Sequence, residues 1–442
     1  MGWLAVLLGI WIAGAVGTPD AEAAVKRAVL VAPFEATSLS REDVWAGDGV
    51  AELLMLAFVH NPSVVQIERT RWRALLAEDS RTEAHVVKAA RALHADVALF
   101  GQIRREGGGL VIRPRYVDLK GDAADLVSLD EVQVPDGELL DRVPRLPGLY
   151  ARALKLPASE VEAKRMEAAM RPTSSLKALQ LYVNARTAML KSTSEGHDAA
   201  TDLLARAIDI DSTFVVAQYS LGLAHQALGN RWKAAAQFRA CTQLDPAFPE
   251  SYKALGDLFL AAPRRLFDQA VEAYTKAVEL RPYYSDAYAG LGDARAAKGD
   301  VDGAVEAYGN ALTHNPVNAR MHASLAKVYF TEKGLYYEAV TAYKRAVELD
   351  PELVEARMGL GEIYEEKGLY KEAITEYQRA VELDEKHTGA HYNLAAVYEK
   401  VDPREAITLW ERYIALAGPI PTEKDWVEIA RQHVRKLKSQ IK

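Results

Sequence analysis

The sequence predicts two parts: an α/β amino-terminal domain, a small mixed sheet with helices, and then an all-α right-handed solenoid. Three observations carry this. One spacing pattern recurs seven times between Leu181 and Ala417, and the stretch from about residue 24 to 155 alternates helix-like and strand-like runs. The 442-residue length also exceeds one ordinary domain.

The recurring pattern is one of packing residues. Small residues at Ala200, Ala234, Ala270, Ala304, Ala339, Ala373 and Ala406 each precede, by four, a bulky Leu204, Phe238, Tyr274, Tyr308, Tyr343, Tyr377 or Trp410. A second small residue follows at Ala207, Cys241, Ala277, Ala311, Ala346 and Ala380. A stop position comes next, filled by Ser212, Pro246, Pro282, Pro316, Pro351 and Glu385, with steps of 34, 36, 34, 35 and 34 residues. A period near 34 residues is that of a two-helix repeat, each unit covering the apolar face of the one before it.

Composition narrows the function classes. A net charge of −7 and a pI near 5.9 give no basis for nucleic-acid binding. The single cysteine, Cys241, excludes an intramolecular disulfide framework and a thiolate metal cluster, and it stands where other repeats carry alanine. Residues 1–17 are almost wholly apolar, too short for a span, and run into small residues at Ala21 and Ala23. They read as an export signal over residues 1–23, which predicts a periplasmic or otherwise exported protein with no transmembrane span in the mature chain. An N-terminal membrane anchor is the alternative if the segment is retained.

Within the amino-terminal part, Arg27 to Pro33 reads as a buried strand, Trp45 to Val59 as a helix, and Val64 to Ile67 as a second strand. Glu83 to Leu93 is helical and leads into a strand from Asp96 to Gly101. Leu110 to Leu119 and Leu126 to Val134 read as antiparallel strands, joined through turns at Gly107–Gly109 and Lys120–Asp122. Asp136 to Leu154 reads as a closing helix. Residues 156–180 are a linker with some helical character, residues 181–417 carry about seven repeats, and residues 418–442 form a capping helix on which Trp426, Ala430, Val434, Leu437 and Ile441 share a face.

The strings AVLVAPFE, GDGVAELL and ALHADVALFGQIRREGGGLVIRPRYVDLKGD resemble the TolB-like amino-terminal domain, with Pro33-Phe34, Gly47-Asp48-Gly49, Asp96 and Gly101 at the matching places. Glycines at a helix start and inside a strand mark tight starts, bulges or close backbone approaches. Residues 105–109 lack a Lys-Ser/Thr ending and no helix pattern follows them, so they are not read as a phosphate loop.

The later part resembles tetratricopeptide repeats. Its first helices carry Leu221-Gly222, Leu255-Gly256, Leu291-Gly292, Leu325-Ala326, Leu360-Gly361 and Leu394-Ala395. That resemblance implies protein or peptide partners held in a groove lined by first-helix residues. Projected here, these are Glu250, Lys253, Asp257, Asp286, Asp293, Arg320, Lys327, Glu355, Met358, Glu362, Glu365, Tyr392 and Glu399. The groove leans acidic except at Arg320 and Lys327, which favours a basic or mixed peptide. His387 and His391 have a metal-compatible spacing of four but no convergent third ligand. No nucleophile with an adjacent base and no paired carboxylates in a placeable pocket are seen, so neither catalysis, a metal nor a cofactor is expected. The functional expectation is an exported bacterial adaptor that binds partners through its repeats. The alternative is a regulatory module whose TolB-like domain binds a ligand or partner that the repeats relay.

Overall fold

The computed structural model describes residues 26–40, 42–67, 69, 82–120 and 125–441. The segment read as an export signal and most of the Lys120–Asp122 turn lie outside the described residues. The chain forms two compact units, one of residues up to 41 with 50–170, the other of residues 42–49 with 171–442.

Among its described residues, the first unit is built on a seven-stranded mixed sheet: β1 (Arg27–Val31), β2 (Glu35–Thr37), β3 (Val64–Gln66), β4 (Val97–Glu106), β5 (Gly109–Asp118), β6 (Asp125–Ser128) and β7 (Val132–Pro135). β1 is parallel to both β3 and β4, and β2 also runs parallel along β4, three residues beyond the β1 pairing. A strand held on both edges in this way is sealed, and four of the five β1 residues are buried. Between β1 and β2 the chain turns Phe34 inward against Gly101. A Cβ at Gly101 would stand 2.4 Å from the Phe34 ring and 2.5 Å from the Arg113 carbonyl oxygen, so this glycine marks a close approach.

β4 and β5 form a long antiparallel hairpin turned at Gly107, whose φ of +60° suits glycine. The strand expected over Leu126 to Val134 is two strands instead. β6 pairs with the end of β5 and β7 with its beginning. The interruption faces Pro114, which has no N–H for a ladder bond, and there Glu131 accepts from Arg113 Nε at 2.7 Å.

α1 (Trp45–Phe58) and α2 (Glu83–Ala92) follow the expected bounds closely. Val86 and Ala90 of α2 pack on Leu30, Ala98, Phe100 and Val117 of the sheet. The single helix expected over Asp136 to Leu154 is broken into α3 (Leu139–Arg142), a 3₁₀ turn and α4 (Leu146–Ala153). Pro144 and Pro147 remove two helical donors, which accounts for the break. Tyr150 of α4 donates its hydroxyl to the Phe100 carbonyl at 2.8 Å, tying this helix to β4. α5 (Glu160–Ala169) is started by a capping box between Ser159 and Glu162.

In the second unit the described helices form seven antiparallel pairs and a cap. The pairs are α6 (Leu176–Met189) with α7 (Ser194–Ile210), α8 (Val215–Ala227) with α9 (Arg231–Leu244), α10 (Pro249–Leu260) with α11 (Phe267–Leu280), and α12 (Ser285–Lys298) with α13 (Val301–His314). They continue as α14 (Ala319–Thr331) with α15 (Tyr336–Leu349), α16 (Val354–Glu366) with α17 (Tyr370–Leu383), and α18 (Thr388–Tyr398) with α19 (Pro403–Ala417), closed by α20 (Lys424–Gln440). The small and bulky residues of the sequence pattern are all buried. At Gly222, Gly292 and Gly361 a Cβ would stand 2.4 to 2.7 Å from the ring of Phe238, Tyr308 or Tyr377, so the first helix is grooved where the second helix inserts its aromatic.

The stops act through the residue before them. Asp245, Arg281, Asn315 and Asp350 precede proline and leave the helix with φ between −135° and −142° and ψ between 81° and 93°. Asp211 and Asp384 take the same conformation without a following proline. Their side chains accept the N–H two residues on, at 3.0 Å in each case, as those of Asp245 and Asp350 do at 2.9 and 3.1 Å. On the cap, Val427, Ala430, Val434 and Leu437 are buried. Trp426, expected on the same face, is 51% exposed and meets Tyr392 edge-on at 5.4 Å. No described helix is long and apolar enough to cross a membrane.

Ala304 is fully buried against Tyr308, Leu325 and Val328. Ala304→Leu is therefore expected to lower the unfolding free energy by about 1–3 kcal/mol in urea titration, through overpacking. Asn310→Leu, at an exposed position of the same helix, is expected to change it by less than about 0.5 kcal/mol.

Candidate functional site

From the third pair onward the buried aromatic of each second helix ends in a polar atom that must find a partner, and in all but the fifth pair the first helix supplies one. Tyr274 donates to Asp257 Oδ1 at 2.7 Å, Tyr308 to Asp293 Oδ1 at 2.5 Å, and Tyr377 to Glu365 Oε2 at 3.0 Å. Trp410 donates its indole N–H to Glu399 Oε1 at 2.7 Å, which also meets His433 Nδ1 at 2.6 Å. Asp257 and Asp293 directly follow the groove residues Gly256 and Gly292; Glu365 and Glu399 stand three residues further along their helices. The following repeat adds a hydroxyl or amide in two cases, Ser324 beside Tyr308 and Asn393 beside Tyr377.

This ladder explains several of the residues projected onto the groove. Asp257, Asp293, Glu365 and Glu399 are acceptors for buried aromatics. Lys253 pairs with Asp257 at 2.9 Å. Glu250 accepts from Arg281 at 2.6 Å in an ion pair buried between repeats, with Arg281 only 6% exposed. Removing one partner of such a pair leaves a buried charge, so Glu250 belongs to the fold. Tyr392 packs edge-on against Trp410 and Tyr413. Asp286 lies in the first turn of α12, away from the cleft described next.

The fifth repeat breaks the ladder. The two acceptor positions are held by Lys327 and Phe330, and the residue of the next repeat facing the phenol is Gly359, with no side chain. Tyr343 therefore has no hydrogen-bond partner among the described residues, although its ring is buried. At that break lies a cleft of about 560 Å³ lined by Arg320, Ser324 and Lys327 from α14, by Tyr343, and by Glu355, Met358 and Glu362 from α16, with His387 also on its lining. Five of the projected groove residues meet here: Arg320, Lys327, Glu355, Met358 and Glu362. Ser324, Tyr343 and His387 were not projected. The detectable signal was the lysine at position 327, in the slot that aspartate holds in the third and fourth repeats.

The charges of this cleft are not tied up in close pairs. Neither Arg320 nor Lys327 makes an ion pair within 4 Å among the described residues, and the same holds for Glu355 and Glu362. Desolvation in the groove pushes the Glu362 carboxyl above its ordinary range; Lys327 opposes this and Glu365 adds to it. His387 Nδ1 accepts the Ala390 N–H at 3.0 Å, capping α18, while His391 Nε2 bonds the Glu385 carbonyl at 3.0 Å. The two histidines are thus engaged separately, and no group of three metal-binding side chains occurs among the described residues.

With this geometry in view, the comparisons can be placed on it. A family model described as "TPR repeat" matches residues 292–332, 330–368 and 361–402, and one described as "Tetratricopeptide repeat" matches residues 219–285. The chain carries tetratricopeptide repeats, and the matched span includes the cleft. The small glutamine-rich tetratricopeptide repeat-containing protein 2 of Mycosarcoma maydis is 32% identical over 116 residues, covering 26% of this chain and about a third (32%) of that protein. Among solved structures, MamA is similar at 28% identity over 38% of this chain and 95% of its own, with a TM-score of 0.34. YrrB, a TPR protein described as having an unusual peptide-binding site, is similar at 24% identity over 46% of this chain and 99% of its own, with a TM-score of 0.37.

Two measurements follow. Tyr308→Phe and Tyr377→Phe are expected to cost about 1–2 kcal/mol each by chemical unfolding, since each removes a hydrogen bond to a charged acceptor, whereas Tyr343→Phe is expected to cost near zero. The raised Glu362 carboxyl means the folded chain binds that proton more tightly than the unfolded chain. Its contribution to stability therefore falls as pH rises from about 4.5 through its folded value. Glu362→Gln should gain on the wild type as pH rises through that window and then hold a constant margin, read from urea titrations at stepped pH.

Proposed function

We propose that this protein is an exported scaffold whose repeats hold a protein or peptide partner, with the cleft between the fifth and sixth repeats as the anchoring point. The observation that carries this reading is the contrast between committed and uncommitted groups. Elsewhere along the first helices most polar side chains close the fold, while at this cleft two cations, two carboxylates and a phenol remain available. A concave site with a few convergent polar groups is the usual form of a binding pocket. The apolar residues 1–17 support the export part of the reading, which places the protein in the periplasm or on the bacterial envelope.

A photo-crosslinking residue placed at Met358 in the full chain, in living cells, is expected to capture a defined partner. The same probe at Tyr337, 83% exposed and outside the cleft, should not. Equal labelling at both positions would remove the cleft from the account. Export is tested by fractionation with amino-terminal sequencing of the mature protein, and recovery of an intact terminus in the cytosol would end that part of the reading.

A regulatory role is favoured by one feature of the first unit, which we take as a TolB-like domain. A second cleft of about 650 Å³ there is lined by four cations and four carboxylates, and two of the cations, Arg145 and Arg152, have no ion-pair partner among the described residues. A ligand at this cleft would raise the thermal midpoint of the first unit's transition. Phosphate and small dicarboxylates are the first probes, and an unchanged midpoint counts against the role.

A further inference from the structure

We infer that the cleft between the fifth and sixth repeats recognises a peptide segment carrying an internal acidic side chain beside a basic one. The carboxylate is received by the Tyr343 hydroxyl and the Lys327 ammonium, and the cation by Glu355 and Glu362. The inference rests on the scaffold reading above and specifies the chemistry of its ligand.

The argument starts from the ladder. In the third, fourth and sixth repeats the phenol of the second helix is satisfied by a carboxylate of its own repeat. In the fifth that carboxylate is missing and Lys327 stands in its slot. The phenol and the ammonium both line the cleft and both are donors, whereas Tyr274 and Tyr308 have an acceptor anion at the slot Lys327 holds. A ligand carboxylate entering there completes the missing rung and gains charge-assisted hydrogen bonds. Arg320, two turns back along the same helix and on the lining of the same cleft, adds a second cation.

The other side of the cleft fixes the rest of the ligand. α16 contributes Glu355 and Glu362, neither of them ion-paired to a described residue, with Met358 between them on the same face. Glu362 feels the opposite charge of Lys327 across the cleft and the like charge of Glu365, already engaged with Tyr377. A ligand bearing only a carboxylate would face these acids unbalanced. One bearing a basic side chain next to its acidic one meets opposite charge on each helix, the complementarity that selects a partner and suppresses wrong ones. The Met358 thioether offers an adaptable apolar contact for the ligand stem between the two charges.

The test uses the full chain and an array of amide-capped nonapeptides in a serine–alanine background, with acidic, basic or neutral residues at every pair of neighbouring positions. Free-carboxylate versions of each are included, and binding is read by fluorescence anisotropy. Capped peptides with an acidic–basic pair are expected to bind best. Their affinity should fall about tenfold or more in Lys327→Asp, which supplies Tyr343 with an internal acceptor of the kind Tyr274 and Tyr308 already have. That variant is expected to keep or raise the thermal midpoint, separating lost binding from lost folding. Glu362→Lys should shift preference toward peptides with a second acidic residue in place of the basic one.

Binding by neutral peptides, binding that requires the free terminal carboxylate, or affinity unchanged in Lys327→Asp would overturn the inference. If such peptides are still displaced by Met358→Arg, the scaffold reading stands and only its ligand chemistry falls. If no peptide binds, or Met358→Arg has no effect, both fall.

Discussion

From the second pair onward, each second helix sends one large ring into a notch on its first helix, and the rest of the solenoid is arranged around that contact. The notch exists because the first helix has glycine or alanine there; a Cβ at Gly361 would stand 2.4 Å from the Tyr377 ring. Close packing of this kind is intolerant of added volume and fixes the distance between helices. Burying a phenol or an indole also buries a donor, and a buried donor without an acceptor is costly. The shape constraint therefore generates an electrostatic one. Where the ring is tyrosine or tryptophan, a carboxylate of the same repeat accepts from it, at Asp257, Asp293, Glu365 and Glu399, in every repeat but the fifth.

Those acids explain why the groove looks acidic in the sequence without being an acidic binding surface. A carboxylate that accepts from a buried ring has part of its hydrogen-bonding capacity used inside the fold. Glu250, locked to the buried Arg281, is a still clearer case. Counting charges along the first helices thus overstates what a partner meets. Once the committed groups are removed, what remains is a local patch of mixed sign at the fifth and sixth repeats.

The fold was legible in the sequence to the extent that local rules decide it. The 34-residue period, the notch residues and the proline stops gave the helix pairs, because packing and backbone restriction act at fixed spacings. In the first unit, β1, β3, α1 and α2 were readable from apolar runs and helical spacing. The division of the last strand and the breaking of the closing helix were not, since both depend on prolines read as parts of longer patterns: Pro114 opposite the interruption, Pro144 and Pro147 within the helix. Trp426 was misplaced by one position, because Trp426 and Val427 are adjacent and only packing against the preceding repeat decides which turns inward. The groove projection gave the right helices but could not separate acids that hold rings from acids that face solvent, a distinction made by contacts 11 to 17 residues apart in the chain.

The same logic turns a departure from the pattern into information. A repeat under packing constraint alone has no reason to place lysine where the third and fourth repeats use aspartate beneath a buried phenol, because the substitution removes an acceptor and leaves a donor in its slot. The neighbouring repeat offers the phenol no hydrogen-bond partner at the facing position, since Gly359 has no side chain; its Glu362 acts on the phenol and on Lys327 only through its charge. Local satisfaction of the fold and of this cleft therefore disagree, and such disagreements are expected where a surface serves something other than its own stability. The unfilled rung is small, a single phenol with a single ammonium. In a solenoid whose other hydroxyl and indole rungs are closed by the chain itself, it is the place where an outside carboxylate completes what the sequence leaves open.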